Sequence, residues 1–215
     1  MRLHRGRRRR VLTAGRPRAL LLDLGGVVLR LRPRACFEYW AGKARVDLQD
    51  IGSRWGIDDA YRAHEVGALD FPAYAERLSA RLGIELAEHD WRAGWNALFS
   101  GTFPDVVGAL PRAAARLPLY CFTNTNAEHQ ATWQARYGHH LTSFTKVYVS
   151  SEIGRRKPDV TSFEWVARDM GLGPADILFL DDSRENIDGA AAAGLQTVHV
   201  TGPEVTLRVL DEMAA

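Results

Sequence analysis

Residues 19–29 read ALLLDLGGVVL, an apolar run that stops at an aspartate and a glycine pair before apolar residues resume. A run without alternation marks a strand buried on both faces, as in a parallel sheet covered by helices. The same pattern returns as LYCFT at 119–123, KVYV at 146–149, ILFL at 177–180 and again at 197–200, with Asn124, a serine pair and Asp181 directly after the first three. Helical periodicity fills the gaps at 106–116, 127–137, 159–170 and 183–193, the last two stopping at Gly171 and Gly194. Alternating strand and helix predicts an α/β fold with a Rossmann-like parallel sheet and helices on both faces. Such sheets bind ligands beyond the carboxyl ends of their strands, where this chain places Asp23, Thr123, Asn124 and Asp181.

The stretch from about 33 to 103 breaks the alternation. It holds amphipathic helical segments such as 71–82 and 90–99 and no convincing strand, so it reads as a helical insertion after the first strand. Trp40, Trp55, Trp91 and Trp95, four of the six tryptophans, fall within it and are expected to form its own core. Its HEVGAL segment at 64–69, with a glycine at 67, is the candidate turn for reaching the site. The expected organisation is a basic, disordered tail over 1–17, an α/β core over 18–31 and 102–215, and a small all-helical cap over 32–101.

At 215 residues and 46% hydrophobic content the chain is long enough for one domain with a sizeable insertion. No window approaches the ~18 apolar residues of a membrane span. The net charge of +2 rests on eight arginines that precede Asp23; without them 20 basic residues face 26 acidic ones. An acidic body is not built to hold a nucleic-acid backbone, so neither nucleic acid nor membrane is an expected partner. The apolar stretch after the arginines is interrupted by Arg16, Pro17, Arg18 and Asp23 and does not read as a secretory signal. Cys36 and Cys121 make neither a disulfide framework nor a zinc site. A cytoplasmic monomer or homodimer is expected.

Four segments carry candidate chemistry: DLGGV from Asp23, FTNTN ending at Asn126, GRRKPD around Lys157, and FLDDSRENIDGA with Asp181 and Asp182. In this order, across residues 19–200, they resemble the four ordered motifs of the haloacid dehalogenase-like (HAD) hydrolase superfamily, in its capped subclass. The strings DLGGV, NTN followed by His129, RKPD and FLDDSRENI look most like bacterial sugar-phosphate phosphatases similar to α-D-glucose-1-phosphate phosphatase. The resemblance implies magnesium-dependent hydrolysis of a small phosphorylated metabolite, such as a hexose 1-phosphate, through an aspartyl phosphate. Asp23 is then the nucleophile, and Asp23, the Gly25 carbonyl and Asp182 are the Mg2+ ligands, assisted by Asp181. Thr123, Asn124 and His129 bind phosphate, and Lys157 supplies a point charge for catalysis and binding. Phosphoryl transfer needs these parts: a nucleophile, charge neutralisation and in-line positioning. Only three of the 28 basic residues are lysines, so an ammonium at 157, in a chain that habitually uses arginine, argues for a compact charge there.

One position departs from the pattern. The family's phosphatases place a second Asp two residues after the nucleophile, where it protonates the leaving group; here that residue is Gly25. General acid–base help is worth about 10² to 10⁴ in rate. Three explanations stand: a good leaving group such as an anomeric oxygen, another acid among His129, His64 and Glu65, or a phospho-ligand-binding protein without turnover. A 2-haloacid dehalogenase uses the same nucleophile without such an acid, but gives no reason for a metal site at Asp181 and Asp182.

Overall fold

The computed structural model describes residues 15–215. Of the tail expected over 1–17, residues 1–14 lie outside the described residues, and Pro17 is buried, so the folded body starts earlier than residue 18.

Five parallel strands form the main sheet: β1 (Ala19–Leu22), β4 (Leu119–Thr123), β5 (Lys146–Val149), β6 (Ile177–Asp181) and β7 (Gln196–His199), in the order β5-β4-β1-β6-β7. The pleat divides β1 between two cores. Leu20 and Leu22 join Val106, Leu110, Cys121, Leu180 and Leu210 on one face. Ala19 and Leu21 join Phe122, Phe163 and Phe179 on the other. The helices that cover these faces are α6 (Pro104–Ala114), α7 (Ala127–Tyr137), α8 (Ser150–Ile153), α9 (Val160–Asp169), α10 (Arg184–Ala192) and α11 (Pro203–Ala214). After β1 the chain visits β4 and β5 on one side, then crosses to β6 and β7 on the other. The reversal beside β1 opens a crevice at the carboxyl ends of β4, β1 and β6.

The insertion contains α1 (Arg34–Ala44), α2 (Leu48–Arg54), α3 (Asp59–Glu65), α4 (Phe71–Leu82) and α5 (Glu88–Trp95). Trp40, Trp91 and Trp95 pack with Ile51, Tyr74 and Leu78 in a separate core. The Trp40 and Trp95 rings stack at 6.1 Å, and the Trp40 indole N–H donates to the Trp91 carbonyl at 3.2 Å.

The expectation of an all-helical insertion needs correction. Strands β2 (Leu29–Leu31) and β3 (Phe99–Thr102) pair antiparallel into a ribbon through which the chain enters and leaves the cap, so β3 overlaps the stretch read as strandless. Its FSGT sequence shows no apolar alternation because the ribbon is two-stranded and partly exposed, with no sheet face to bury. The register slips between Arg30 and Leu31, a bulge of the kind that re-aims a side chain.

Candidate active site

The cleft sits at the predicted strand ends, with a volume of about 200 Å³. Asp23 follows β1, Thr123 ends β4, Asp181 ends β6, and Lys157 arrives from the segment before α9. Lys157 organises these groups. Its Nζ donates to Asp23 Oδ1 at 2.7 Å and to Asp181 Oδ2 at 2.6 Å, with its side chain only 1% exposed. The ammonium also lies over the rings of Phe122 and Phe179, at 5.6 and 5.5 Å, which hold it in place from the apolar side.

The adjacent carboxylates Asp181 and Asp182 divide their work, as alternation along a strand requires. Asp181 is fully buried: besides Lys157, it accepts from the Ser183 amide at 2.8 Å and from Asn186 Nδ2 at 3.0 and 3.1 Å. Asp182 is exposed, and its carboxylate occupies the space where a Cβ on Gly26 would stand; Gly26 also has φ of +74°. One oxygen from each of Asp23, Asp181 and Asp182 lies within 4.8 Å of the others. Three carboxylates against one ammonium leave a double negative charge, and burial pushes the Asp23 carboxyl up to about 7 despite the pull of Lys157. The donor set is all oxygen, short of positive charge and partly open to solvent. It therefore fits a small hard dication.

The remaining predicted residues divide. Thr123 is buried and lines the cleft, as do Gly25 and Asn124. The Asn124 side chain braces the Lys157 backbone, with Oδ1 accepting from its N–H at 2.9 Å and Nδ2 donating to its carbonyl at 2.8 Å. Its amide group is thereby committed to holding the lysine. His129 also lines the cleft, but both ring nitrogens are engaged: Nε2 donates to the Trp95 carbonyl at 2.9 Å, and Nδ1 accepts from Asn126 Nδ2 at 3.2 Å. The expectation of His129 as a phosphate ligand is therefore corrected: its ring, stacked on Trp95 at 4.6 Å, joins cap to core.

The 64–69 turn does reach the core. Ser150 Oγ donates to the Glu65 carbonyl at 2.6 Å and accepts from the Thr125 amide at 2.8 Å, while Arg156 pairs with the Glu65 carboxylate at 2.8 Å. Glu65 and Tyr61 line the cleft from the cap side, and Leu29, Leu31, Leu98, Phe99 and Trp133 add apolar surface. His64, the other candidate acid, is buried with Nδ1 on the Leu69 carbonyl at 2.8 Å. Sequence reasoning missed Tyr61, Arg156 and Leu31. The second arginine in RRKPD, one residue from the lysine, was the available signal for Arg156.

The parallel sheet, the carboxylates at its strand ends and the inserted cap define a hydrolase of the α/β class with an aspartate at its centre. Residues 17–194 match the family profile described as haloacid dehalogenase-like hydrolase, and the chain belongs to that family. It is 25% identical over 210 residues to the sesquiterpene phosphatase astK of Aspergillus oryzae, covering 91% of this chain and 96% of that protein. It is 32% identical over 114 residues to the enolase-phosphatase E1 of a Bradyrhizobium strain, a match that spans about half of each protein (51% and 49%). The fold is similar to that of the HAD family enzyme bt-2542 from Bacteroides thetaiotaomicron in complex with magnesium and inorganic phosphate. There the TM-score is 0.75 at 24% identity, covering 86% of this chain and 95% of the other. Among the described residues no helix is long and apolar enough to cross a membrane.

Proposed function

We propose that this chain is a magnesium-dependent phosphatase that hydrolyses a small phosphomonoester through a covalent phosphate on Asp23. The observation that carries this reading is the Asp23–Lys157–Asp181 arrangement with Asp182 beside it: a nucleophile held in place, a buried ammonium and an excess of two negative charges. The phosphatase names of the relatives and the magnesium and phosphate of the Bacteroides enzyme support it.

Asp23, Asp182 and the Gly25 carbonyl would hold Mg2+, with Asp181 near them. The ion supplies charge that lets a phosphate dianion approach a carboxylate. Lys157 fixes the Asp23 carboxylate through Oδ1 and adds positive charge to the phosphate seat, and Thr123 offers a hydroxyl to a non-bridging oxygen. An Asp23 oxygen attacks phosphorus as the bond to the leaving oxygen breaks, and water then cleaves the aspartyl phosphate. The cap contacts at Glu65 and Trp95 hold the cap beside the cleft. A hexose 1-phosphate suits this site because its anomeric oxygen departs more readily than a primary alcohol.

The test is phosphate release from hexose 1-phosphates, hexose 6-phosphates and acetyl phosphate, with magnesium or with excess chelator. Turnover should require magnesium and vanish in Asp23→Asn. Full activity of a pure Asp23→Asn preparation would remove the nucleophile from the proposal, and turnover in chelator would remove the metal from it.

A further inference from the structure

Beside the place of the missing acid stands Leu31, which is 36% exposed. A Cβ built on Gly25 would stand 2.5 Å from Leu31 Cδ1 and 3.4 Å from its Cγ. Leu31 follows the bulge in the ribbon and pairs with Phe99, so the slip in register is what turns its side chain toward Gly25. Leu31, Leu98 and Phe99 all line the cleft, so the wall beside the nucleophile is apolar.

Apart from the carboxylates placed as metal ligands, the other titratable groups that line the cleft are committed elsewhere. His129 has both nitrogens bonded in its neutral form, and burial holds its pKa at about 3. Glu65 is paired with Arg156. Tyr61 is bonded to Glu65, and burial raises its phenol well above the usual range. The Lys157 ammonium is held between the Asp23 and Asp181 carboxylates, at 2.7 and 2.6 Å.

Resting on the phosphatase reading above, we infer that Leu31 occupies the leaving-group acid's position and restricts the enzyme to phosphate esters and anhydrides whose leaving oxygen is weakly basic: anomeric, enol, aryl or acyl. The step balances without an acid. Asp23 forms its bond to phosphorus while the bond to the leaving oxygen breaks; that oxygen departs with the electron pair as an anion and takes its proton from water afterwards. Esters of ordinary primary alcohols, whose alkoxides are strongly basic, are disfavoured by the loss of the ~10² to 10⁴-fold that an acid supplies.

The experiment measures kcat/KM of the wild-type chain, with magnesium, for substituted phenyl phosphates of graded leaving-group basicity, for acetyl phosphate and for a primary-alcohol ester such as glucose 6-phosphate. It repeats the series with Leu31→Ala and with the double variant Gly25→Asp, Leu31→Ala. Wild type should lose about 10² to 10⁴-fold from the weakly to the strongly basic end. The folded double variant, which has room for an acid, should recover most of that loss, while Leu31→Ala alone should not. A flat series in wild type, with turnover still dependent on Asp23, would overturn the inference and leave the phosphatase reading intact. A steep series that a folded double variant leaves equally steep would remove Leu31's part in it. If acetyl phosphate itself shows no Asp23-dependent turnover, both readings fall. A double variant that does not fold leaves the wild-type series to decide.

Discussion

Lys157 concentrates the site's energetics in one side chain. A buried ammonium carries a large desolvation cost, offset here by two carboxylates at hydrogen-bond distance and two aromatic faces. Removing it leaves Asp23 and Asp181 buried beside one another, with Asp182 adding further negative charge. Lys157→Ala is therefore expected to destabilise the fold by about 3–5 kcal/mol as well as abolish turnover, and urea unfolding checks the first effect. Lys157→Arg keeps the charge but forces a planar fork into a space closed by Phe122 and Phe179, so it should rescue neither stability nor rate. Stability within 1 kcal/mol of wild type in Lys157→Ala would mean that the carboxylates hold protons or ions instead. Sequence made Lys157 conspicuous by scarcity, and Asp23 and Asp181 by their strand ends. Which carboxylate of the Asp181 and Asp182 pair would face the lysine was open, because adjacent strand residues point oppositely and only the sheet's packing decides which face is which.

Between elements, cap and core meet where the turn after α3 packs on the start of α8. Gly67 sits at φ of +74°, and a Cβ there would run into the Ser151 backbone carbonyl, while Ser150 bridges Glu65 and Thr125 from a fully buried position. Arg92 of α5 and Glu128 of α7 form a second ion pair across the same boundary. Ser150→Ala deprives a buried amide and a buried carbonyl of their partner, a loss of about 1–3 kcal/mol. Hydrogen exchange at the Thr125 amide should quicken by ~5- to 150-fold, with KM rising more than kcat falls, because closure rather than chemistry is weakened. Unchanged exchange would show that the turn is held by other contacts. The glycine of HEVGAL marked this turn in the sequence. Its partners were hidden: Glu65 and Arg156 lie 91 residues apart, and no local pattern links them. Strands β1, β4 and β6 were legible because burial on both faces leaves a nearly uninterrupted apolar run, and the edge strands β5 and β7 by their place in the strand–helix alternation, whereas the β2–β3 ribbon has neither signal. Leu31 was hidden twice over, since its direction depends on a bulge in that ribbon.

For the whole molecule, cap and core are coupled through His129, and the coupling depends on that ring staying neutral. Nε2 donates to the Trp95 carbonyl, so Nδ1 must accept; Asn126 offers it an N–H because Asn126 Oδ1 already accepts from the His129 amide at 3.0 Å. Burial opposes the charge and places the pKa at about 3 against an ordinary 6.5, and a proton on Nδ1 would face the Asn126 N–H with no acceptor. The unfolded chain takes up this proton below about 6.5 and the folded chain does not. The contribution to stability is therefore complete above that pH and falls as the solution is acidified, by up to ~1.4 kcal/mol per pH unit until the folded pKa is reached. Asp23 acts with the opposite sign over part of the same range: its raised pKa lets the folded state hold a proton that the unfolded chain has released, so its contribution is lost as pH rises toward about 7. A single stability profile would mix the two, and the informative quantity is the difference between wild type and His129→Gln, which keeps an N–H donor but does not titrate. That difference should be constant from pH 7 to 8 and shrink by ~1.4 kcal/mol for each unit below about 6.5 in denaturant unfolding. A difference independent of pH would mean that the ring titrates alike in both states and that cap and core are not joined through a neutral His129.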